Sequence, residues 1–210
     1  PPAGFMEFCR KNEFWLDEYA LFMALRKRMH PLSRQEWPSD LKSLSPEIRE
    51  KIRKNESEVI LREQFIQYLF AVQWRVLRDT CHQNGIVLIG DIPIYVDYDS
   101  ADVWTHPELF QLDQDQNPLF VAGVPPDYFS VNGQVWGSPV YRWDELQKTR
   151  YSWWIARIEN LISYVDYLRI DHFRGLVAYW EIPAGSETAI TGRWVAAPAR
   201  DFLGCLNRKL

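Results

Sequence analysis

The chain has 210 residues, 47% hydrophobic and 25% charged, with a formal net charge of −4, the composition of a soluble globular protein able to bury a continuous core. With no basic block it lacks the clustered Lys and Arg that a nucleic-acid partner requires, and its longest apolar run, Tyr19 to Leu25, is far short of the ~20 residues of a membrane span. Cys9, Cys81 and Cys205 are odd in number and show no metal-ligand spacing, so they read as reduced thiols in a cytosol-like compartment, and neither a metal nor a cofactor is expected.

The opening "PPAGFMEFCRKNE" carries neither the basic start nor the apolar stretch of a secretory leader. Aromatic residues are the compositional outlier at 15%, 10 of them Trp. Most such rings pack in cores, while a minority in Gly- and Pro-rich loops can serve as platforms for a flat, hydroxyl-bearing ligand such as a sugar.

In chain order, the region from Glu7 to about Arg53 reads as helical. "FWLDEYALFMALRKRM" places Leu16, Tyr19, Phe22 and Met23 at helical spacing and closes on basic residues before Pro31. After a polar stretch, a short helix is predicted to start at Pro46 with Ser45 as its N-cap. A long amphipathic helix is predicted from Ser57 to Gln83, with Leu61, Phe65, Leu69, Val72, Val76 and Leu77 on its apolar stripe and Asn84-Gly85 as its stop. The run Ile86–Ile89 then suits a parallel strand covered on both faces, ending near Gly90 and Asp91. From Tyr95 to Asp144 little periodicity remains, which marks a long functional loop. "TRYSWWIARIENLISY" restores helical spacing, and "VDYLRID" reads as a second buried strand.

Helix, strand and loop thus alternate twice, so the fold class is α/β with parallel strands. Alternation does not separate a doubly wound sheet from a barrel; in both, ligands gather at the carboxyl ends of the strands, where Asp91 and Asp171 fall.

The densest chemistry is in "VDYLRIDHFRG", Val165–Gly175. Strand alternation puts Arg169 and Asp171 side by side on one face, and a guanidinium there favours the carboxylate as an anion. An ion pair tying strand to helix would use the same spacing. His172 and Arg174 bring more hydrogen-bonding groups than such a pair needs, which is typical of sites that tune a charge for use. His30, His82 and His106 are scattered and read as surface or packing residues. No nucleophile elbow, phosphate loop or zinc-type spacing occurs, leaving carboxylate chemistry of the kind that cleaves glycosidic bonds.

"YLRIDHFRG", "GDIPIYVDYDSADVW" and "VAGVPPDYFSVNGQVWGSPVYRW", with "AYWEIPAG" and "TAITGRWV" after them, resemble the 4-α-glucanotransferases of glycoside hydrolase family 77, called amylomaltase in bacteria and disproportionating enzyme in plants. The likeness covers Phe14 to Val195. It implies part of a (β/α)8 TIM barrel of the α-amylase type, with an inserted helical subdomain over 1–56 and, over 57–210, about the third and fourth barrel strands with their long βα loops.

The resemblance also implies a retaining double displacement on α-1,4-glucans, with maltooligosaccharides or glucose as acceptors, in the cytoplasm or, in a plant, the plastid. By that resemblance Asp171 is the nucleophile, Arg169 orients it, and His172 and Asp91 support the donor sugar. Asp127, Tyr128, Phe129, Gln134 and Trp136 fall on the loop over the acceptor side. That loop makes physical sense by itself: Pro125-Pro126 stiffens its entry, and Gly133 and Gly137 permit the backbone angles that present Tyr128, Phe129 and Trp136 outward. Trp104 is the simpler packing case.

The sequence departs from the family where the acid/base is expected. A retaining enzyme needs a second carboxylic acid roughly 5–5.5 Å from the nucleophile, and the family's Glu-Asp-Leu-Gly motif and later His-Asp pair do not occur. Glu181 and Glu187 stand outside those motifs, so the expectation is an internal fragment, truncated before the fifth strand and inactive alone. A hydrolase of the α-amylase class and a glucan-binding remnant without turnover stay open as alternatives.

Overall fold

A computed structural model describes residues 2–43 and 45–209. Chain contacts divide it into two units, Pro1–Gln83 with Asp99–Thr105, and Asn84–Tyr98 with His106–Leu210.

The first unit is helical. Helix α1 spans Phe5–Met29 and ends on Arg26, Lys27 and Arg28, cations that suit the negative end of the helix dipole. Helices α2 (Ser39–Lys42) and α3 (Pro46–Asn55) follow, and the Ser45 side chain accepts the Ile48 N–H at 3.3 Å as the predicted cap. Helix α4 spans Ser57–Gln83, and Gly85 takes φ +71° just beyond it, the left-handed stop that glycine supplies without strain. A short helix α5 (Ala101–Thr105) carries Trp104, which is buried with Leu21, Phe22, Leu25, Trp37 and Ile52 and donates from Nε1 to the Leu41 carbonyl at 2.8 Å. Trp104 is therefore core, as its simpler reading held.

Burial along α4 differs from expectation. The helix has no buried residue, and Leu61, Leu69, Val76 and Leu77 of the predicted stripe are exposed. It meets α1 through Phe65 of that stripe and its neighbour Tyr68, both against Phe5, and through Gln64 donating to Asp17. The stripe is real in the sequence, and its residues Leu61, Leu69, Val76 and Leu77 are left uncovered among the described residues.

The second unit holds two sheets. Strands β1 (Ile89–Ile92) and β4 (Tyr167–Ile170) pair in parallel, with Asp91 opposite Arg169 and Ile92 opposite Ile170. Between them in sequence come β2 (Phe120–Val124), β3 (Gln134–Pro139), α6 (Trp143–Lys148) and α7 (Ser152–Ile162). After β4 come a 3-10 turn over Phe173–Leu176, β5 (Ala178–Pro183), β6 (Arg193–Ala196) and α8 (Ala199–Lys209). The order β3-β2-β5-β6 makes a separate antiparallel sheet.

Three expectations are corrected here. The first strand begins at Ile89 rather than Ile86, and Ile86, Val87 and Ile89 are exposed instead of covered on both faces. "VDYLRID" does form a strand, but an exposed one whose Tyr167 and Arg169 face outward while Leu168 and Ile170 are half-buried. The stretch Tyr95–Asp144 is not one loop, for it contains α5, the β2–β3 hairpin and the start of α6. The α/β class holds, but the described residues form no closed barrel, and most of their strands are antiparallel.

The core of this unit is aromatic. Helix α7 buries Trp154, Ile155 and Ile158, and Phe202 of α8 packs edge-on to Tyr151 and Trp154. Arg157 of α7 donates to the Pro93 carbonyl at 2.9 Å, holding the chain just beyond β1. In the second sheet, Gly123 lets β2 and β3 approach: a Cβ there would lie 2.1 Å from the Gln134 carbonyl oxygen.

Candidate active site

Parallel register brings the site together. Because Asp91 and Arg169 occupy paired positions on neighbouring strands, their side chains leave the same face. Arg169 grips Asp91 with two parallel hydrogen bonds, Nε to Oδ1 at 3.0 Å and a terminal nitrogen to Oδ2 at 2.5 Å. This fork geometry is specific to arginine. The same nitrogen lies 3.8 Å from Oδ1 of Asp171. Arg169 therefore serves both aspartates, Asp91 closely and Asp171 at longer range, whereas the i, i+2 spacing pointed to Asp171 alone. The hydrogen bonds from Arg169 hold the Asp91 carboxyl below its ordinary range and raise Arg169 in turn.

Asp171 lies one residue past β4, its N–H bonded to the Ile92 carbonyl at 2.9 Å and its side chain 60% exposed. A group so exposed at a strand tip is free to meet a ligand. His172 follows with φ +49°, a left-handed conformation uncommon for any residue but glycine. Burial pushes its imidazole down from the usual value, opposed by the neighbouring Asp171 carboxylate and reinforced by Arg174. The imidazole is thus biased towards the neutral form, with one nitrogen to donate and one to accept.

Trp136 of β3 reaches this tip. Its ring stands edge-on to His172 with centroids 4.8 Å apart, and Tyr95 lies on its other side at 6.4 Å. Gln134 accepts from the Trp136 indole N–H at 3.1 Å, orienting the ring. The fold therefore gathers Asp91, Arg169, Asp171, His172, Gln134 and Trp136. Tyr95 joins them unanticipated; nothing in its sequence surroundings set it apart from a core aromatic.

Asp127, Tyr128 and Phe129 are placed differently. They form the tip of the β2–β3 hairpin, where one Asp127 carboxylate oxygen accepts the N–H groups of Phe129 at 2.9 Å and Ser130 at 2.8 Å. Asp127 thereby shapes the turn, as Asx side chains do, and Tyr128 and Phe129 are almost fully exposed at 97% and 93%. Two solvated aromatic rings on a stiff turn form a platform without a partner among the described residues.

Glu181 is buried on β5, and Arg193 directs two nitrogens onto one of its oxygens at 2.7 and 3.0 Å. Gln111 donates to its other oxygen at 3.4 Å. A carboxylate so enclosed and paired is not open to a ligand. A cavity of about 420 Å³ in the same unit, lined by Gln111, Leu119, Tyr141, Arg142, Asp144 and Tyr179 among others, contains none of the strand-tip residues. The strand-tip site is an open surface instead, and among the described residues no group of His, Cys, Asp and Glu is placed to hold a metal ion.

Carboxylates and a guanidinium at the carboxyl ends of parallel strands, beside an aromatic ring, are where α/β proteins gather their ligands. Within that class the chain belongs to the 4-alpha-glucanotransferase family, whose profile matches residues 2–210.

It is 46% identical over 194 residues to the 4-alpha-glucanotransferase of Aquifex aeolicus, covering 92% of this chain and 40% of that protein. It is 42% identical over 194 residues to the chloroplastic/amyloplastic 4-alpha-glucanotransferase of Solanum tuberosum, covering 91% and 33%. Among solved structures, the amylomaltase of Streptococcus agalactiae in complex with acarbose superposes with a TM-score of 0.93 at 42% identity, covering 98% of this chain and 42% of that one. The chain thus spans at most about two fifths of the length of these relatives.

Proposed function

We propose that this chain carries the nucleophile and the acceptor-side loop of a 4-α-glucanotransferase that transfers α-1,4-glucan segments to maltooligosaccharides or glucose. The observation that carries the reading is the Asp91–Arg169–Asp171 cluster at the tips of β1 and β4. In the proposed reaction Asp171 attacks the anomeric carbon of the donor, the glycosidic C–O bond breaks, and a covalent glycosyl ester forms. The departing oxygen takes a proton from a second carboxylic acid. The 4-hydroxyl of the acceptor then attacks the same anomeric carbon, the bond from that carbon to the Asp171 oxygen breaks to free the carboxylate, and the hydroxyl proton passes to the second carboxylate, so two inversions give net retention.

Each residue has a task that follows from its chemistry. Arg169, anchored by both oxygens of Asp91, presents a fixed positive charge 3.8 Å from the Asp171 carboxylate and orients it. Neutral His172 hydrogen-bonds a donor hydroxyl. Trp136, and Tyr128 and Phe129 at the hairpin tip, stack on acceptor rings and exclude water, which favours a sugar hydroxyl over hydrolysis. No carboxylate of the described residues suits the acid/base role: Glu181 is buried against Arg193, and exposed Glu187 lies in the turn between β5 and β6. In this reading the chain acts as part of a (β/α)8 barrel whose other strands supply that acid. A cytoplasmic setting, or a plastid one in a plant, accompanies the proposal, and no helix among the described residues is long and apolar enough to cross a membrane.

A chimera tests this directly. Replacing the matched segment of the Aquifex aeolicus relative with this chain is expected to give a protein that converts maltotriose into glucose and longer glucans. Asp171→Asn in that chimera is expected to lower kcat by about a thousandfold or more. Release of shorter sugars alone would identify a hydrolase, and unchanged transfer by the Asp171→Asn variant would overturn the assignment of the nucleophile.

A further inference from the structure

The turn that bears His172 is fastened from outside its own strand. On one side Gly175 closes it: the Gly175 N–H bonds to the His172 carbonyl at 2.9 Å, and a Cβ at Gly175 would lie 2.7 Å from Ile94 and 3.2 Å from the His172 ring. On the other side Arg174 reaches the antiparallel sheet. Its guanidinium carbon sits 4.0 Å over the ring of Trp194 on β6, a cation–π distance. Trp194 stands edge-on to Trp180 of β5 at 5.3 Å. Trp180 is itself locked, donating from Nε1 to the Ala189 carbonyl at 2.8 Å and filling the space where a Cβ on Gly192 would lie 2.2 Å away. Arg174 has no carboxylate partner among the described residues, so the indole face is what fixes this exposed cation.

We propose that Arg174 and Trp194 are positioning residues: their cation–π contact clamps the Phe173–Leu176 turn to the antiparallel sheet and keeps His172 in its left-handed conformation beside Asp171. A left-handed histidine persists only where its surroundings over-determine it. Gly175 and the Arg174–Trp194–Trp180 contacts do so from adjacent positions in the turn. The catalytic consequence rests on the reading of Asp171 and His172 given above, whereas the clamp can be measured without turnover.

The experiment is an NMR titration of the His172 imidazole in the chain carrying Val87→Lys and Ile89→Lys to keep it dispersed, assigned with a His172→Gln variant, together with amide exchange at Gly175 and Val177. The charged groups facing His172 are the Asp171 carboxylate and the Arg174 guanidinium, and Trp194→Ala removes the clamp while leaving both in place. In Trp194→Ala the His172 pKa is expected to rise towards the ordinary imidazole value, and exchange at the two amides to accelerate about two- to fivefold, the scale of one exposed cation–π contact. Arg174→Lys, which keeps a cation over the ring, is expected to stay close to the parent.

Unchanged titration and exchange in a Trp194→Ala chain with parental circular dichroism would overturn the clamp. If that variant does not fold, Arg174→Gln is read by amide exchange alone, with acceleration supporting the clamp and no change overturning it. Because neither readout involves transfer, a failed clamp and a failed nucleophile assignment are told apart.

Discussion

Arg169 shows how a single residue's partners depend on register. The sequence places it two positions from Asp171, yet its paired contacts go to Asp91, 78 residues earlier in the chain. A parallel neighbour at the same level is nearer than the next same-face residue along the strand, about 7 Å away. Arg169→Lys keeps the charge and loses the fork. It is expected to bring the Asp91 carboxyl back towards its ordinary range by carboxyl NMR and, in the chimera, to cost about a hundredfold in kcat through misplacement of Asp171, the proposed nucleophile.

The pH dependence follows from two titrations that act in the same direction. The Asp91 carboxyl is held low in the fold, so the unfolded chain takes up that proton first. The contribution of Asp91 to stability is complete above the ordinary aspartate range and is lost as acid carries the pH down through the lowered value. His172 is also held low, by burial, so stability rises with pH between its folded value and the ordinary imidazole value of about 6.5. Urea midpoints measured from about pH 5 to about pH 7 are expected to rise, and His172→Gln to flatten that rise.

Helix α3 and the β2–β3 hairpin owe their form to local chemistry that single substitutions can test. Ser45 satisfies one of the free N–H groups at the start of α3, and Ser45→Ala is expected to cost about 1 kcal/mol in urea unfolding. Gly123 is more demanding. Any Cβ there meets the backbone of Gln134 at 2.1 Å and Ile182 at 2.5 Å, so Gly123→Ala is expected to cost about 1–3 kcal/mol. The same change shifts β3 and carries Trp136 away from His172, which near-ultraviolet circular dichroism would report. Both strands of this hairpin lie in a stretch that reads as loop in the sequence, because β2 is a short "FVAGV" and β3 carries Gly137 and ends in Pro139. Strands this short and glycine-bearing show neither period clearly.

Across the whole molecule the expected apolar surfaces exist, but many are uncovered. Leu61, Leu69, Val76 and Leu77 on α4, and Ile86, Val87 and Ile89 around β1, are each 41% exposed or more. Strand β1 pairs with β4 on one side and has no second neighbour among the described residues. An apolar strand with a free edge invites association. The chain as it stands is expected to bind a hydrophobic dye and to self-associate at micromolar concentration in light scattering. Val87→Lys with Ile89→Lys is expected to suppress that association without altering the circular dichroism.

What the sequence determined by itself was local: the start of α3 at its serine cap, the bounds of α4, the two parallel strands to within a few residues, and the crowding of Asp171, His172 and Arg174. These follow from interactions between residues a few positions apart, where spacing along the chain is spacing in space. The tertiary structure decided the rest. It chose which aspartate Arg169 holds, assembled four short segments into an antiparallel sheet, aimed Trp136 at His172, and set which apolar stripes are covered. Each depends on register or contact between segments tens of residues apart, and such geometry is fixed by packing rather than by any local pattern.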